Sequence, residues 1–345
     1  MSDSYILPDG RTARTYRLSA ANGVGVTLSD LGATTLGIVA PDRHGRVADV
    51  LLCHADPSHW PAGGAPGDDA YLGATVGRYA NRIAGARFAI DGCEHMLIAN
   101  EGRNQNHGGP DGFHRAIWAV EQADVRRVTM RHHSPDGDQG FPGALDARAD
   151  FVLSDAGELA IVYTATTTRP THVNLAWHGY FNLSGAPGTT ILDHRLAIAA
   201  DMVLEIDGDA IPTGRRIAVA GTAFDFTAAR AMGTRIDDDD AQLGAGDGYN
   251  HTYILRGTGL REVAWLAHPA SGRTVALATD RPGLQLYSGN GLGAPFGRRA
   301  GLCLEPQAWP DSPNRPDFPS SRLDPGQSYR SETRLRFGVE RDALA

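Results

Sequence analysis

The stretch Leu145-Asp-Ala-Arg-Ala-Asp-Phe-Val-Leu153 places an apolar residue at every second position. Asp146, Arg148 and Asp150 occupy three of the positions between. After the turn signal Asp155-Ala-Gly, large apolar residues again stand at alternate positions, at Leu159, Ile161 and Tyr163. Successive side chains of a β-strand point to opposite faces of the sheet. The two segments therefore predict neighbouring strands that each bury one face.

Outward from this stretch, the rest of the chain favours strands over helices. Val24, Val26 and Leu28 alternate in the same way, and turn signals recur at short intervals. Only residues 226–232 predict a short helix. Many short strands joined by turns bury their apolar faces best against a second sheet. The sequence therefore predicts an all-β fold, either a sandwich or a barrel.

The length of 345 residues is sufficient for a large core, and no Pro/Ser/Gly linker or repeat divides the chain. We expect a single domain over residues 1–345. The Gly/Pro-rich residues 57–67 predict a long surface loop. The acidic run 237–240 predicts a solvated loop, with a cation site as the alternative.

The basic residues exclude several functions. All 32 are arginine, so the chain has no lysine for a Schiff base, a pyridoxal phosphate anchor or a phosphate-binding loop. The net charge of −8 and the lack of a long basic run disfavour nucleic acid as a partner.

The cysteines and the hydropathy pattern predict a cytoplasmic location. Cys53, Cys93 and Cys303 are widely spaced and form no Cys-x-x-Cys pair, which argues against a disulfide framework and a thiolate metal site. No window reaches the roughly 20 apolar residues of a membrane helix, and the first residues lack a leader pattern. We expect no membrane partner, no metal and no cofactor.

His178 is the first candidate for catalysis. In the segment 173–183, alternation places Trp177 on the core face and His178 on the opposite face. A histidine close to Trp177, Tyr180 and Phe181 combines an aromatic surface for the C–H face of a sugar with a titratable group. The alternative is a buried core histidine with one backbone partner.

Glu305 is the second candidate. It ends the apolar run that begins at Gly301, and Pro306 holds it in an extended conformation, on the same face as Cys303. A carboxylate on so apolar a strand is either paired or functional, because burial of an isolated charge is costly.

Two further polar clusters precede these candidates. Each is explained equally well by turn and capping chemistry. The clusters are Arg78, Asn81 and Arg82, and then Asn104, Asn106 and His107 in a Gly-flanked loop.

Taken together and in this order, the segments resemble the galactose mutarotase (aldose 1-epimerase) family over nearly the whole chain. The segments that carry the resemblance are residues 71–83, Gly140-Phe-Pro-Gly, residues 170–175, Ile211-Pro-Thr-Gly, residues 221–226, residues 284–290 and residues 304–320.

The resemblance implies a large antiparallel β-sandwich of the supersandwich type, with a monosaccharide bound in an open cleft. The family interconverts the α and β anomers of free aldoses without a cofactor. His178 matches the acid that protonates the ring oxygen, and Glu305 matches the base that takes the proton of the C1 hydroxyl. Arg82, His107 and Gln285 match residues that bind the sugar.

Three positions depart from the family pattern. Asn250 stands where the family usually has an aspartate that contacts a hydroxyl, and we expect Asn250, rather than Asp247, to fill that role. Asn106 replaces a leucine before His107, and Trp177 replaces an asparagine before His178. These changes predict a different wall on the sugar site.

Other functions on the same fold stay open at this point. A non-catalytic carbohydrate-binding module would bind sugar without turnover. A lyase would release an unsaturated product, and an epimerase of a phosphorylated hexose would need an additional arginine cluster at the cleft. Its candidate donors are Arg78, Arg103 and Arg315.

Overall fold

The chain folds almost entirely into β-strands in a computed structural model that describes residues 3–54 and 70–340. The loop predicted over residues 57–67 lies outside the described residues. In chain order the strands are β1 (Ser4–Ile6), β2 (Thr12–Ser19), β3 (Gly25–Ser29), β4 (Thr34–Pro41), β5 (Val47–Asp49), β6 (Thr75–Val76), β7 (Arg82–Ile83), β8 (Arg87–Ile90), β9 (Cys93–Met96), β10 (Gln105–Asn106), β11 (Ala119–Ala123), β12 (Arg127–Ser134), β13 (Leu145–Leu153), β14 (Glu158–Thr167), β15 (Thr171–His172), β16 (Ala176–Trp177), β17 (Tyr180–Phe181), β18 (Arg195–Ile198), β19 (Ala200–Ile206), β20 (Pro212–Ala218), β21 (Arg230–Ala231), β22 (Asn250–Leu255), β23 (Arg261–Ala267), β24 (Arg273–Thr279), β25 (Gly283–Tyr287), β26 (Leu302–Gln307), β27 (Arg322–Leu323) and β28 (Tyr329–Val339).

Helical structure in the described residues is short. The α-helix α1 spans Ala241–Gly246, and five single turns of 3₁₀-helix lie at Ala84–Ala86, Phe113–Arg115, Asp138–Gly140, Met232–Thr234 and Ser312–Asn314. Within the described ranges, no helix has the length and apolar character needed to cross a lipid bilayer.

Two large sheets form the body of the fold. The first has nine strands in the order β11-β12-β13-β14-β28-β24-β23-β18-β21, and the second has six in the order β17-β26-β25-β22-β19-β20. Their ladders are antiparallel throughout. A five-stranded sheet, β1-β2-β3-β4-β5, and four two-stranded sheets complete the described fold.

A continuous hydrophobic core joins the nine-stranded and six-stranded sheets. Phe151 and Ile161 of the first sheet belong to the same buried cluster as Leu286 and Leu304 of the second. The prediction of an all-β, antiparallel sandwich is therefore confirmed. The core also fixes the outer faces of both sheets, one of which carries the site described below.

The alternation of apolar residues in 145–153 and 159–165 determines how β13 and β14 pack. Every second residue of β13 is buried, from Leu145 to Leu153, and β14 repeats the pattern. The strands pair with Phe151 opposite Ile161, so apolar residues meet on the same face.

The helix predicted over residues 226–232 is not formed. The Asp225 carboxylate accepts hydrogen bonds from the backbone N–H and hydroxyl of Thr227, which forms a turn at the expected helix start. The Arg230 guanidinium lies over the Phe226 ring, and Arg230 begins strand β21. Local side-chain bonds and sheet pairing therefore override a weak helical pattern.

Aspartates of the acidic run 237–240 form a helix cap and ion pairs within the protein. Asp240 caps α1 by accepting hydrogen bonds from two backbone N–H groups of its first turn. Asp237 forms an ion pair with Arg299, and Asp238 forms one with Arg235. These contacts account for the run as cap and surface-pair chemistry.

Candidate active site

A cleft of about 230 Å³ lies over one face of the six-stranded sheet. Strands β22, β25 and β26 supply Asn250, Gln285 and Glu305 to its floor, and loops from the other sheets supply the walls. Gln285 pairs with Thr252 on one side and with Glu305 on the other. The remaining lining residues are Ala70, Tyr71, Asn81, Arg82, Glu101, Asn106, His107, His178, Tyr180, Tyr287, Gly291 and Leu292.

Glu305 and His178 meet at the bottom of this cleft. His178 Nε2 lies 3.7 Å from Glu305 Oε1, and the two side chains are only 5% and 2% exposed. On the other side of the ring, Nδ1 lies 3.6 Å from the sulfur of Cys303, two residues before Glu305 on β26. Alternation along β26 thus places Cys303 and Glu305 against the same imidazole ring.

Burial shifts the titration of both groups in opposite directions. It raises the pKa of Glu305 to about 8, against the opposing attraction of the Arg82 charge. It lowers the pKa of His178 to about 4. Between these values the pair holds one proton, which these shifts place on Glu305 while His178 stays neutral.

Aromatic rings fix the orientation of the His178 imidazole. Its centroid lies 5.7 Å from Tyr71, 5.0 Å from His107 and 5.1 Å from Tyr180. The backbone N–H of His178 donates to the carbonyl of Ala74. A ring held on several sides keeps its nitrogens directed at the same points in the cleft.

Arg82 enters the cleft as half of an ion pair. Its guanidinium donates through Nε and Nη2 to both carboxylate oxygens of Glu101. The Arg82 side chain is 13% exposed and that of Glu101 is 42% exposed, so the pair forms a wall facing solvent. Its field on Glu305 is therefore that of a partly neutralised cation.

His107 is held against Asn81 by two hydrogen bonds. The Asn81 N–H donates to Nδ1 of His107 at 3.2 Å, and the His107 N–H donates to the Asn81 carbonyl. The next residue must be glycine, because Gly108 has φ +87° and a Cβ there would lie 1.8 Å from the Gly77 carbonyl oxygen. This close packing presents His107 to the cleft.

Asn250 and Gln285 form a directed chain of hydrogen bonds. The Thr252 hydroxyl donates to Gln285 Oε1 at 2.5 Å, and Gln285 Nε2 donates to Asn250 Oδ1 at 2.7 Å. With its oxygen engaged, Asn250 presents its NH₂ group as a donor, which an aspartate at this position would not do. Asp247 instead pairs with Arg298.

The prediction that Trp177 forms part of the sugar site is wrong. Trp177 is 2% exposed in the core, its ring packs against Phe181, and Nε1 donates to the Thr35 hydroxyl. Adjacent residues in an extended segment point to opposite faces, so Trp177 faces away from the cleft that His178 enters. All other predicted site residues line the cleft.

Among the polar and aromatic lining residues, Tyr71, Glu101 and Tyr287 were not predicted as ligands. Tyr71 begins the segment 71–83, and Glu101 lies just before the cluster of Asn104, Asn106 and His107, but the contacts of both depend on neighbours distant along the chain. Glu101 carried no local signal in the sequence, because its partner Arg82 lies 19 residues earlier in the chain.

His107, His178 and Glu305 are close enough to suggest a metal site, with potential ligand atoms within 4.8 Å of one another. The hydrogen bond from the Asn81 N–H occupies Nδ1 of His107, so in the neutral ring the proton lies on Nε2. A protonated Nε2 donates a hydrogen bond and does not ligate a cation. The arrangement is suited to a polar organic ligand.

A second such group, Asp193, His194 and His268, lies outside the cleft. The Leu183 N–H donates to His194 Nε2, and the Ser271 N–H donates to His268 Nδ1. Each ring therefore directs a protonated nitrogen at Asp193, at 3.1 Å in both cases. These bonds make the group a structural bridge between two loops.

The arginines considered for a phosphate site do not line the cleft in the described part of the chain. Arg78 is buried and donates to the carbonyls of Pro142 and Gly143. Arg103 and Arg315 line a separate cavity, where each is paired with an aspartate.

Comparisons of the chain with a family model, with curated proteins and with solved structures all indicate the same family. Residues 14–336 match the family described as Aldose 1-epimerase. The chain is 38% identical to an aldose 1-epimerase of Escherichia coli strain K12, over 97% of this chain and 98% of that protein. It is also 38% identical to a galactose mutarotase of Mus musculus, over 96% and 95% of the two chains. The solved galactose 1-epimerase of Lactobacillus acidophilus NCFM superposes with a TM-score of 0.86 at 26% identity, covering 99% of both chains.

Proposed function

The chain belongs to the aldose 1-epimerase family, and we propose that His178 and Glu305 carry out its proton transfers. Its activity is the interconversion of the α and β anomers of an aldose, an isomerisation. The observation that supports these roles is the 3.7 Å approach of two buried, oppositely shifted groups at the bottom of the cleft.

Ring opening needs one proton removed and one delivered. Glu305 accepts the proton of the C1 hydroxyl while His178 protonates the ring oxygen, the bond between C1 and the ring oxygen breaks, and a carbonyl forms at C1. Rotation about the C1–C2 bond presents the other carbonyl face. Closure returns the hydroxyl proton to His178 and the Glu305 proton to the new C1 oxygen, so the enzyme ends unchanged.

The proton count of the pair agrees with this cycle. The pair holds one proton near neutral pH, and the reaction requires one group to accept while the other donates. At rest burial places that proton on Glu305, so the reactive form, with a Glu305 carboxylate and a protonated His178, is the minor tautomer of the pair. The Arg82 charge acts in favour of this reactive form because it stabilises the Glu305 carboxylate. Burial of both groups strengthens their electrostatic coupling to the reacting atoms.

The polar wall supports sugar binding. We assign His107, Asn81, Arg82, Asn250 and Gln285 to sugar binding, because their side chains line the same cleft as Glu305. Tyr71, Tyr180 and Tyr287 add aromatic surface for C–H groups. A non-catalytic binding module would not need the buried acid and base in this cleft.

We further infer a single domain and a reducing, cytoplasmic compartment. The core that joins both large sheets supports the first. The three cysteines are free, which supports the second.

The test is anomer exchange measured by NMR or polarimetry on freshly dissolved galactose, glucose, arabinose and xylose. We expect acceleration by the wild-type chain, and a loss of about 10² to 10⁴ in kcat for His178→Ala and for Glu305→Ala. His172→Asn is the matched control, because His172 is a buried histidine bonded to Ser321 outside the cleft.

Two results would contradict the proposal. Wild-type protein that accelerates exchange of none of these aldoses would refute the activity. Activity retained in both His178→Ala and Glu305→Ala would refute the residue roles. Circular dichroism of each variant separates a lost proton transfer from a lost fold.

A further inference from the structure

The amide oxygens that line the cleft are mostly occupied by the protein itself. Asn81 Oδ1 accepts from the backbone N–H of Arg82 at 2.9 Å. Gln285 Oε1 accepts from Thr252, and Asn250 Oδ1 accepts from Gln285. These side chains therefore offer mainly N–H donors to a ligand.

Asn106 is the exception. It lines the cleft and is 7% exposed, and its Oδ1 accepts no hydrogen bond from any residue in the described part of the chain. The other unpartnered side-chain oxygen of the lining that is fully buried is Oε2 of Glu305, which the reaction uses as a base. Asn106 Oδ1 is thus a buried acceptor without a hydrogen-bond partner in the described part of the chain.

The orientation of the Asn106 amide is defined by its neighbours. Its Nδ2 lies 3.4 Å from Glu101 Oε1. A carboxylate can only accept, so the atom facing Glu101 must be the NH₂ group, and the oxygen points away from that ion pair.

The backbone of Asn106 is fixed as well. The Asn100 side chain brackets it, with Oδ1 accepting from the Asn106 N–H at 2.7 Å and Nδ2 donating to the Asn106 carbonyl at 3.0 Å. Across the short ladder of β7 and β10, Asn106 pairs with Arg82. The unpartnered oxygen is therefore held in place beside a residue of the sugar wall.

We propose that Asn106 Oδ1 accepts a hydrogen bond from a hydroxyl group of the bound sugar and thereby determines which aldoses are used. The inference rests on the proposed function of the cleft. A buried acceptor without a partner is costly, and a ligand hydroxyl that reaches it removes this cost. Sites built to bind a hydroxyl discriminate strongly against analogues that lack it.

The proposal defines a substrate class. The preferred aldose carries a free hydroxyl at the position that faces Asn106, and its deoxy or O-methyl analogue at that position is a poor substrate. An analogue modified at another position keeps its hydrogen bond to Asn106, so any loss of activity on that analogue has a different cause.

The experiment compares wild type with Asn106→Leu on the best aldose and on each of its monodeoxy analogues. We expect wild type to lose at least tenfold in kcat/KM on one analogue. On that analogue Asn106→Leu should equal wild type, while on the parent sugar it should be at least tenfold slower. Dissociation constants from calorimetry on the same panel should show the same pattern.

Asn104→Ala is the matched control, because Asn104 lies in the same loop but its Oδ1 accepts from the Gly85 N–H outside the cleft. It should change all analogues by the same factor. The inference is overturned if Asn106→Leu also affects all analogues equally, or none. Wild-type inactivity on every aldose would instead refute the proposed function. In that case the dissociation constants still test the inference, and it is overturned if they do not show the expected pattern.

Discussion

At the scale of single residues, the chemistry depends on how charges near Glu305 bias its carboxyl. Burial raises the pKa of Glu305 to about 8, and Arg82 acts against this rise. Arg82 is itself paired with Glu101, a partly exposed carboxylate. Glu305, Arg82 and Glu101 thus form a row of alternating charges. Glu101 partly neutralises Arg82, and Arg82 in turn lowers the pKa of Glu305.

This row of charges predicts that Arg82→Gln and Glu101→Gln shift the pH profile of activity in opposite directions. The profile of kcat/KM should be bell-shaped, because a second proton on the pair removes the base at low pH and loss of the last proton removes the acid near pH 8. Arg82→Gln removes a positive charge, disfavours the carboxylate and should move the alkaline limb to higher pH. Glu101→Gln leaves Arg82 unneutralised and should move it to lower pH, each by roughly half a unit to one unit.

Anomer exchange by NMR from pH 5 to 10, with the uncatalysed rate subtracted, measures these limbs. Both variants retain His178 and Glu305, so each should keep enough activity for a profile. Shifts of the same sign, or unchanged limbs in both variants, would show that Glu305 does not control the alkaline side.

The sequence located the proposed acid and base better than it located their surroundings. Motif and alternation were enough to select Glu305 and His178, because both lie on extended segments where the facing of a side chain follows from its position. Trp177 was misplaced because closeness along the chain was taken for closeness in the cleft. Glu101 and Tyr71 were missed because their contacts join segments that only the folded chain brings together.

At the scale of elements, α1 connects the acidic run to the sugar wall. Asp240 caps its first turn, and Asp247 ends it in a left-handed conformation three residues before Asn250. Gln242 on the helix exchanges two hydrogen bonds with the backbone of Ile206 on β19. The helix therefore attaches the start of β22 to the neighbouring strand.

Removal of this cap should cost stability without affecting chemistry. Asp240→Ala leaves two backbone N–H groups without their acceptor and should lower the free energy of unfolding by about 1 kcal/mol. Asp239→Ala is the matched control, an exposed aspartate in the same run. Urea unfolding gives the difference, and kcat/KM should stay within about twofold of wild type. Equal losses in the two variants would assign the effect to net charge instead of capping.

Strand facing was predictable, whereas strand order was not. The pattern of β13 and β14 specified which side chains are buried, and a hairpin turn joins them in sequence. By contrast, β14 also pairs with β28, more than 160 residues away along the chain. The alternation of apolar residues predicts which face of a strand is buried, but it does not predict which distant strand pairs with it. The order of the nine strands therefore depends on packing in the folded core.

At the scale of the whole molecule, burial of histidine is a general property of the fold. Burial lowers the pKa of seven histidines, which lie in the cleft, in the core and between loops: His107, His114, His132, His172, His178, His194 and His251. The sequence shows that the chain has 13 histidines but not that so many are enclosed. Their folded-state pKa values lie below the ordinary 6.5, so the unfolded chain binds protons first as the pH falls.

The free energy of unfolding should therefore fall steeply as the pH drops from about 6.5 to about 5.5. Each histidine that stays neutral in the folded chain removes about 1.4 kcal/mol for each pH unit below about 6.5, until the pH reaches its folded-state pKa. The seven histidines outnumber the carboxyls whose raised pKa acts in the opposite direction, which are Asp30, Asp49, Glu305 and Asp311. Urea titrations followed by tryptophan fluorescence at several pH values measure the slope, and its sign requires net proton uptake on unfolding. A free energy of unfolding that is constant or rises as the pH drops from about 6.5 to about 5.5 would show that these histidines are protonated within the folded chain.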